Sequence, residues 1–144
     1  MSRSIRPERL FVDTWGWLAL ADSRDPAHEQ AVSERRSHAG ALVTSDYVLD
    51  ETITRLFSAC PFSAAREFCG AILQAASSRS LHVERITPER FDAAYQLRLL
   101  YSDKPRISFT DLTSFVVMRE LEIRNVLTAD RHFAQVHLGF RCRP

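Results

Sequence analysis

Residues 10–22 read LFVDTWGWLALAD, and the fold turns on how this stretch is parsed. Leu10, Phe11 and Val12 form a short apolar run closed by Asp13, which reads as a buried strand. From Thr14 onward the apolar residues recur at helical spacing, so the strand passes into a helix with almost no loop. Outward from there the pattern repeats. ALVTS at 41–45 is a second strand candidate, LHVERI at 81–86 a third, and NVLTAD at 125–130 a fourth, again closed by an acid. LGFRC at 138–142 suits a last edge strand.

Helical stretches separate these runs. PAHEQAVSERRSHAG (26–40) has Pro26 for its first turn and Gly40 at its end. YVLDETITRLFSAC (47–60) can be capped by Thr44, Ser45 or Asp46. FSAAREFCGAILQAAS (62–77) follows Pro61, and FDAAYQLRLLYSD (91–103) is opened by Thr87-Pro88-Glu89. After the loop KPRIS (104–108), SFTDLTSFVVMRELEI (108–123) has Ser108 or Thr110 as cap, and RHFAQV (131–136) is a short last helix. Such alternation favours an α/β domain with a central parallel sheet of four to five strands and helices on both faces. The length suits one domain, residues 1–144, with one core.

Composition bounds the function classes. The chain is 45% hydrophobic and 26% charged, ordinary for a globular protein. No apolar window approaches the roughly 18 residues of a membrane span. MSRSIRPERL lacks the apolar segment of a secretory leader, so the cytoplasm is the expected compartment. Net charge is +1, and Lys104 is the only lysine beside 18 arginines. Arginine suits phosphate recognition, but a GC-rich genome is the simpler explanation of the bias, so the balance alone does not establish a nucleic-acid partner. Cys60, Cys69 and Cys142 make an odd set without CxxC spacing, so no disulfide framework is expected. His28 and His38 are ten apart, and His132 and His137 five apart. Neither pair matches a zinc-binding helix face, so the histidines read as solvated or capping.

Four acids stand beside apolar or turn signals, three of them in segments that read as strand ends or helix starts: Asp13, Glu51, Asp111 and Asp130. Parallel α/β sheets bind ligands outside the carboxyl ends of their strands. Asp13 and Asp130 would lie at such ends, while Glu51 and Asp111 sit on helices able to face the same crevice. Val48, Thr52 and Leu56 share one helix face, and Glu51 lies near that stripe. Carboxylates converging there repel one another unless a cation neutralises them, and a hard divalent ion with oxygen ligands is the natural partner. Each acid alone also has a structural explanation. Asp13, Asp111 and Asp130 can cap helices, and Glu51 can sit on a solvated face.

The ordered set FVDTWGWLALAD, TSDYVLDETITRL, SFTDLTSFVVMREL and VLTADRHF resembles the PIN-domain ribonucleases, among them the VapC-type toxins of bacterial toxin–antitoxin pairs. The resemblance runs from about residue 10 to 141. It implies acidic metal ligands at Asp13, Glu51, Asp111 and Asp130, with Thr110 and Thr128 as hydroxyl partners of the acids. Trp15 stands where many members carry a serine, which leaves Thr14 or a backbone group to support Asp13. Ala134 stands where some members carry a further acid or asparagine, so no fifth ligand is expected. The resemblance also implies Mg²⁺ or Mn²⁺, an RNA substrate, a small VapB-like antitoxin whose C-terminal segment blocks the pocket, and a homodimer. The amphipathic helices around 47–76 offer an interface, with Leu56→Asp or Phe57→Asp as its probe.

The chemistry agrees. Phosphodiester hydrolysis needs an acidified water and a stabilised leaving oxygen, and carboxylate-held Mg²⁺ or Mn²⁺ provides both. Asp13 and Asp111 are expected to touch the first ion, with Glu51 and Asp130 acting directly or through water. Arg131 is the best arginine candidate for the substrate path, ahead of Arg55, Arg106 and Arg24. Trp15 is free to stack on a base, whereas Trp17 suits the core. One rival is a PIN-domain RNA-processing nuclease without an antitoxin. The other is a non-catalytic binding or signalling module, such as a phospho-acceptor receiver. The acidic pair and late lysine of a receiver are missing.

Overall fold

Leu10, Phe11 and Val12 are each at most 1% exposed. Successive strand residues point to opposite faces, so this strand is covered on both sides, as a central parallel strand must be. In the computed structural model, which describes residues 7–143, it is β1 (Leu10–Val12). There follow α1 (Thr14–Ala21), α2 (His28–Ser37), β2 (Leu42–Ser45), α3 (Asp46–Ala59), α4 (Phe62–Ser77), β3 (Leu81–Glu84), α5 (Pro88–Leu100), α6 (Phe109–Glu120), β4 (Asn125–Leu127), α7 (His132–Gln135) and β5 (Arg141–Arg143). Residues 1–6, most of the stretch weighed as a leader, lie outside the described residues.

The five strands form one parallel sheet in the order β3-β2-β1-β4-β5. Leu10 aligns with Leu42 on one side and with Asn125 on the other. The chain builds outward from β1 through β2 to β3, then returns across β1 to add β4 and β5. That reversal opens a crevice between β1 and β4 at their carboxyl ends, where such sheets bind ligands. Receivers have the order 2-1-3-4-5, so this strand order excludes the receiver.

Several boundaries differ from the sequence reading. Helix α2 starts at His28 rather than Pro26 because residues 22–27 are held in turns. Asp25 Oδ1 accepts the Ala27 N–H (2.9 Å), and Asp22 Oδ1 accepts the Arg24 N–H (2.9 Å). It stops at Ser37, short of Gly40, whose backbone lies so near the Glu8 carbonyl that a Cβ would sit 1.7 Å from that oxygen. Helix α6 ends at Glu120, and Glu122 takes a left-handed φ of 56° to turn into β4. Strand β4 ends at Leu127, so Asp130 lies in the loop beyond the strand, not at its end. The edge strand is residues 141–143 rather than 138–142.

The caps follow their side chains. Ser45 Oγ accepts the Val48 N–H (3.1 Å), and Ser108 Oγ accepts the Asp111 N–H (3.0 Å). Leu56, suggested as an interface probe, is 1% exposed and packs with Ala65 and Cys69. An aspartate there would break the core rather than report on a partner. All three cysteines are free. No helix among the described residues is long and apolar enough to cross a membrane.

Candidate metal centre at the carboxyl ends of β1 and β4

Asp13 follows β1 directly and caps α1. Its Oδ1 accepts the Gly16 N–H (2.7 Å), and its Oδ2 accepts the Thr128 hydroxyl (2.6 Å). Gly16 is required by a close approach. A Cβ on it would lie 2.3 Å from the Leu127 carbonyl oxygen, so only glycine lets the first turn of α1 rest against the end of β4. The same Thr128 Oγ1 accepts the Asp130 N–H (2.9 Å). One threonine therefore orients the side chain of Asp13 and the backbone of Asp130. On the other flank the Trp17 indole N–H donates to Thr44 Oγ1 (3.1 Å), whose hydroxyl donates to the Val12 carbonyl (2.8 Å). That bond pins α1 across β1 and β2 and places Trp17 in the core, as its sequence context suggested.

Asp111 stands in the first turn of α6. Asp130 Oδ1 accepts the His132 N–H (3.0 Å), which shapes the turn into α7. The His132 ring reaches back, with Nδ1 3.1 Å from Asp111 Oδ2 and 3.2 Å from Asp130 Oδ1. Asp111, Asp130 and His132 each offer a donor atom within 4.8 Å of the other two. Glu51 lies on α3, about one-third exposed, with Arg55 3.7 Å away. Its charge is felt at Asp111.

The electrostatics mark the centre. Burial pushes the Asp13 pKa up to about 8, against the Thr128 and Gly16 hydrogen bonds, and the charges of Asp111 and Asp130 add to the rise. Burial raises Asp111 to about 6, opposed by the His132 hydrogen bond and reinforced by Asp130 and Glu51. Among the described residues no lysine or arginine pairs with Asp13, Asp111 or Asp130. Buried and partly buried carboxylates with no lysine or arginine beside them, pre-oriented by hydrogen bonds, are a donor set that fits a divalent cation.

The supporting residues sort unevenly. Thr128 bonds Asp13 as expected. Thr14 does not: its hydroxyl is buried with no hydrogen-bond partner among the described residues, and the Gly16 N–H takes the role instead. Thr110 contributes its carbonyl, which accepts the Thr113 and Ser114 hydroxyls (2.6 and 3.1 Å). A cleft of about 840 Å³ opens beside Asp130, lined among others by Trp15, Lys104, Arg106, Arg131 and His132. Of the arginines considered for the substrate path, Arg106 and Arg131 are there. Arg55 is beside Glu51, and Arg24 is tied to Asp22 (3.0 Å) away from the cleft. His132 was read as solvated or capping, and the structure corrects this. The signal was its place two residues after Asp130, where a turn folds the ring back on the acids.

The PIN domain family model matches residues 10–138. The 23S rRNA-specific endonuclease VapC20 of Mycobacterium tuberculosis is 34% identical over 125 residues, covering 87% of this chain and 92% of that protein. Ribonuclease VapC26 of the same organism is 31% identical over 131 residues, covering 87% of this chain and 90% of that protein. The crystal structure of VapC20, described as a sarcin–ricin loop cleaving toxin, superposes with a TM-score of 0.78 over 89% of this chain and 95% of that one. A VapBC2 complex from Rickettsia felis, 12% identical with a TM-score of 0.69, covers 93% of this chain and 96% of that one and shares the fold. The chain belongs to the PIN-domain family, as a VapC-type ribonuclease.

Proposed function

We propose that this protein cleaves RNA internally with Mg²⁺ or Mn²⁺ held by Asp13, Glu51, Asp111 and Asp130, and that it is the toxin of a toxin–antitoxin pair. The observation carrying this reading is buried Asp13 beside the partly buried Asp111 and Asp130, whose charges repel its own, at the sheet's reversal point in a PIN-domain chain. Asp13 and Asp111 are assigned direct contact with the ion, and Glu51 and Asp130 contact directly or through water. A bound divalent ion supplies Lewis acidity at the phosphate and lowers the pKa of a water. The protein's part is to hold the donors in place. Thr128 and the Gly16 N–H fix both oxygens of Asp13, and the Ser108 cap fixes the turn bearing Asp111.

The adjoining cleft takes the RNA strand. Lys104, Arg106 and Arg131 bring positive charge for phosphates, and half-buried Trp15 offers a ring for base stacking. The partner is a small VapB-like antitoxin that inserts an arginine among the carboxylates, because bidentate arginine–carboxylate pairs are strong. The structural neighbours described as VapBC complexes support that partner. Self-association uses the face bearing Phe57 and Phe62, exposed rings 5.4 Å apart. Phe62→Asp is expected to halve the mass seen by light scattering, and an unchanged mass rules this face out.

The test is cleavage of end-labelled RNAs with Mg²⁺, Mn²⁺ or EDTA, by wild type beside Asp13→Asn and Asp111→Asn. A 23S rRNA fragment with the sarcin–ricin loop belongs in the panel because VapC20 is named for that target. Metal-dependent cutting lost in both variants supports the reading. Cutting that survives both substitutions refutes the assignment of these acids. A PIN nuclease acting without an antitoxin would cut equally well but capture no VapB-like partner on co-expression with the neighbouring gene.

A further inference from the structure

We propose that His132 is itself a ligand of this centre, through Nδ1, and gives it a preference for Mn²⁺ and later transition-metal ions over Mg²⁺. The inference rests on the metal-dependent reading above and deepens it, since four carboxylates alone require no nitrogen donor.

The first support is spacing. Two donors bound to one ion at about 2.1 Å and at right angles stand about 3.0 Å apart. His132 Nδ1 stands 3.1 Å from Asp111 Oδ2 and 3.2 Å from Asp130 Oδ1, and all three atoms fall within 4.8 Å of one another. These are the separations of neighbouring ligands on one face of a coordination sphere.

The second support is how the ring is held. The His132 N–H is bonded to Asp130 Oδ1 (3.0 Å), so the turn that aims the carboxylate also aims the imidazole. The side chain is only 24% exposed and needs no rearrangement to present Nδ1. In the tautomer protonated at Nε2, the Nδ1 lone pair points at the acids.

The consequence is selectivity. Mg²⁺ prefers oxygen donors and keeps its waters. Imidazole suits transition metals, whose affinities rise along the series that begins with Mn²⁺. A centre with one nitrogen among its oxygens should therefore discriminate where an all-carboxylate centre would not. The competing explanation is that His132 only hydrogen-bonds the two aspartates and steadies them. That role would help both ions alike and would put no nitrogen on the metal.

Pulsed EPR of full-length protein loaded with less than one equivalent of Mn²⁺ separates the two, paired with Mg²⁺ competition. The expected wild-type spectrum carries ¹⁴N modulation from a directly bound imidazole. In His132→Ala the modulation disappears, Mn²⁺ affinity falls about tenfold or more, and Mg²⁺ affinity changes by less than about twofold. His132→Asp, which supplies an oxygen instead, is expected to shift the preference toward Mg²⁺. Bound Mn²⁺ without ¹⁴N modulation in the wild type, or equal weakening of both ions in His132→Ala, overturns the inference and leaves the metal-dependent reading intact. Wild type that binds Mg²⁺ but not Mn²⁺ overturns the inference alone, and wild type that binds neither ion overturns both. Should His132→Ala lose its fold by circular dichroism, the wild-type spectrum alone still decides.

Discussion

Two acidic corners of this molecule solve the same problem in opposite ways. At the sheet's β3 side, Glu84 and Glu120 converge on Arg90. The Arg90 guanidinium donates to Glu120 through Nε and Nη2 (3.0 and 3.1 Å), and through Nη1 to Glu84 (3.0 Å) and the Arg85 carbonyl (2.8 Å). Its hydrogen bonds hold the Glu120 carboxyl below the usual range. At the crevice between β1 and β4, Asp13 and Asp111 have no such cation, and burial drives their pKa values up to about 8 and about 6. Acids that carry their own counter-charge are part of the scaffold. On the proposed reading, the crevice acids, which have no lysine or arginine beside them, await a cation from outside, and this contrast separates site from scaffold without reference to motif.

The contrast is open to breakage. The largest effect belongs to the crevice: Asp13→Asn should slow RNA cleavage at least about 100-fold, while the thermal midpoint of the metal-free protein rises because a desolvated carboxylate is gone. A midpoint that falls instead would place Asp13 with the scaffold acids. Arg90→Ala should do the reverse. It leaves two half-exposed glutamates unpaired and costs about 1–2 kcal/mol in urea unfolding, with cleavage per folded molecule unchanged. A rate loss in that variant would join the two corners functionally.

The smallest effect is the pH dependence. Asp13 and Asp111 have folded-state pKa values above the ordinary aspartate value of 3.8. Between those limits the folded chain holds more protons than the unfolded one, so stability falls as pH rises. The Asp111 share of the loss is complete by about pH 6 and the Asp13 share by about pH 8. In EDTA the thermal midpoint should drop across this window, and saturating Mn²⁺ should remove the slope. A midpoint in EDTA that is flat or rising from pH 4 to 8 would mean these carboxyls are not strained when ionised.

Much of this architecture is legible in the sequence. The LFVD and NVLTAD runs mark β1 and β4 because fully buried parallel strands need apolar residues on both faces. The Ser45 and Ser108 caps follow from hydroxyls ahead of helical spacing. What escaped depends on contacts distant in sequence or on loop geometry. Leu56 belongs to a satellite cluster with α4 residues, which the local pattern around α3 does not reveal. The Thr128 bond to Asp13 and a backbone donor as the alternative to Thr14 were both within reach of the sequence; that the donor is the Gly16 N–H was not. His132 enters the centre through a turn of a few residues, and periodicity is silent about turns.

The central claim is that the crevice acids await a divalent cation, and thermal unfolding with and without Mn²⁺ at pH 7.5 tests it most directly, using wild type and Asp111→Asn. The account predicts that Mn²⁺ at about 100 times its Kd stabilises the wild type by about 2.7 kcal/mol, and that the variant gains little or nothing. A wild-type midpoint indifferent to Mn²⁺ and Mg²⁺, or one raised equally in Asp111→Asn, would contradict it.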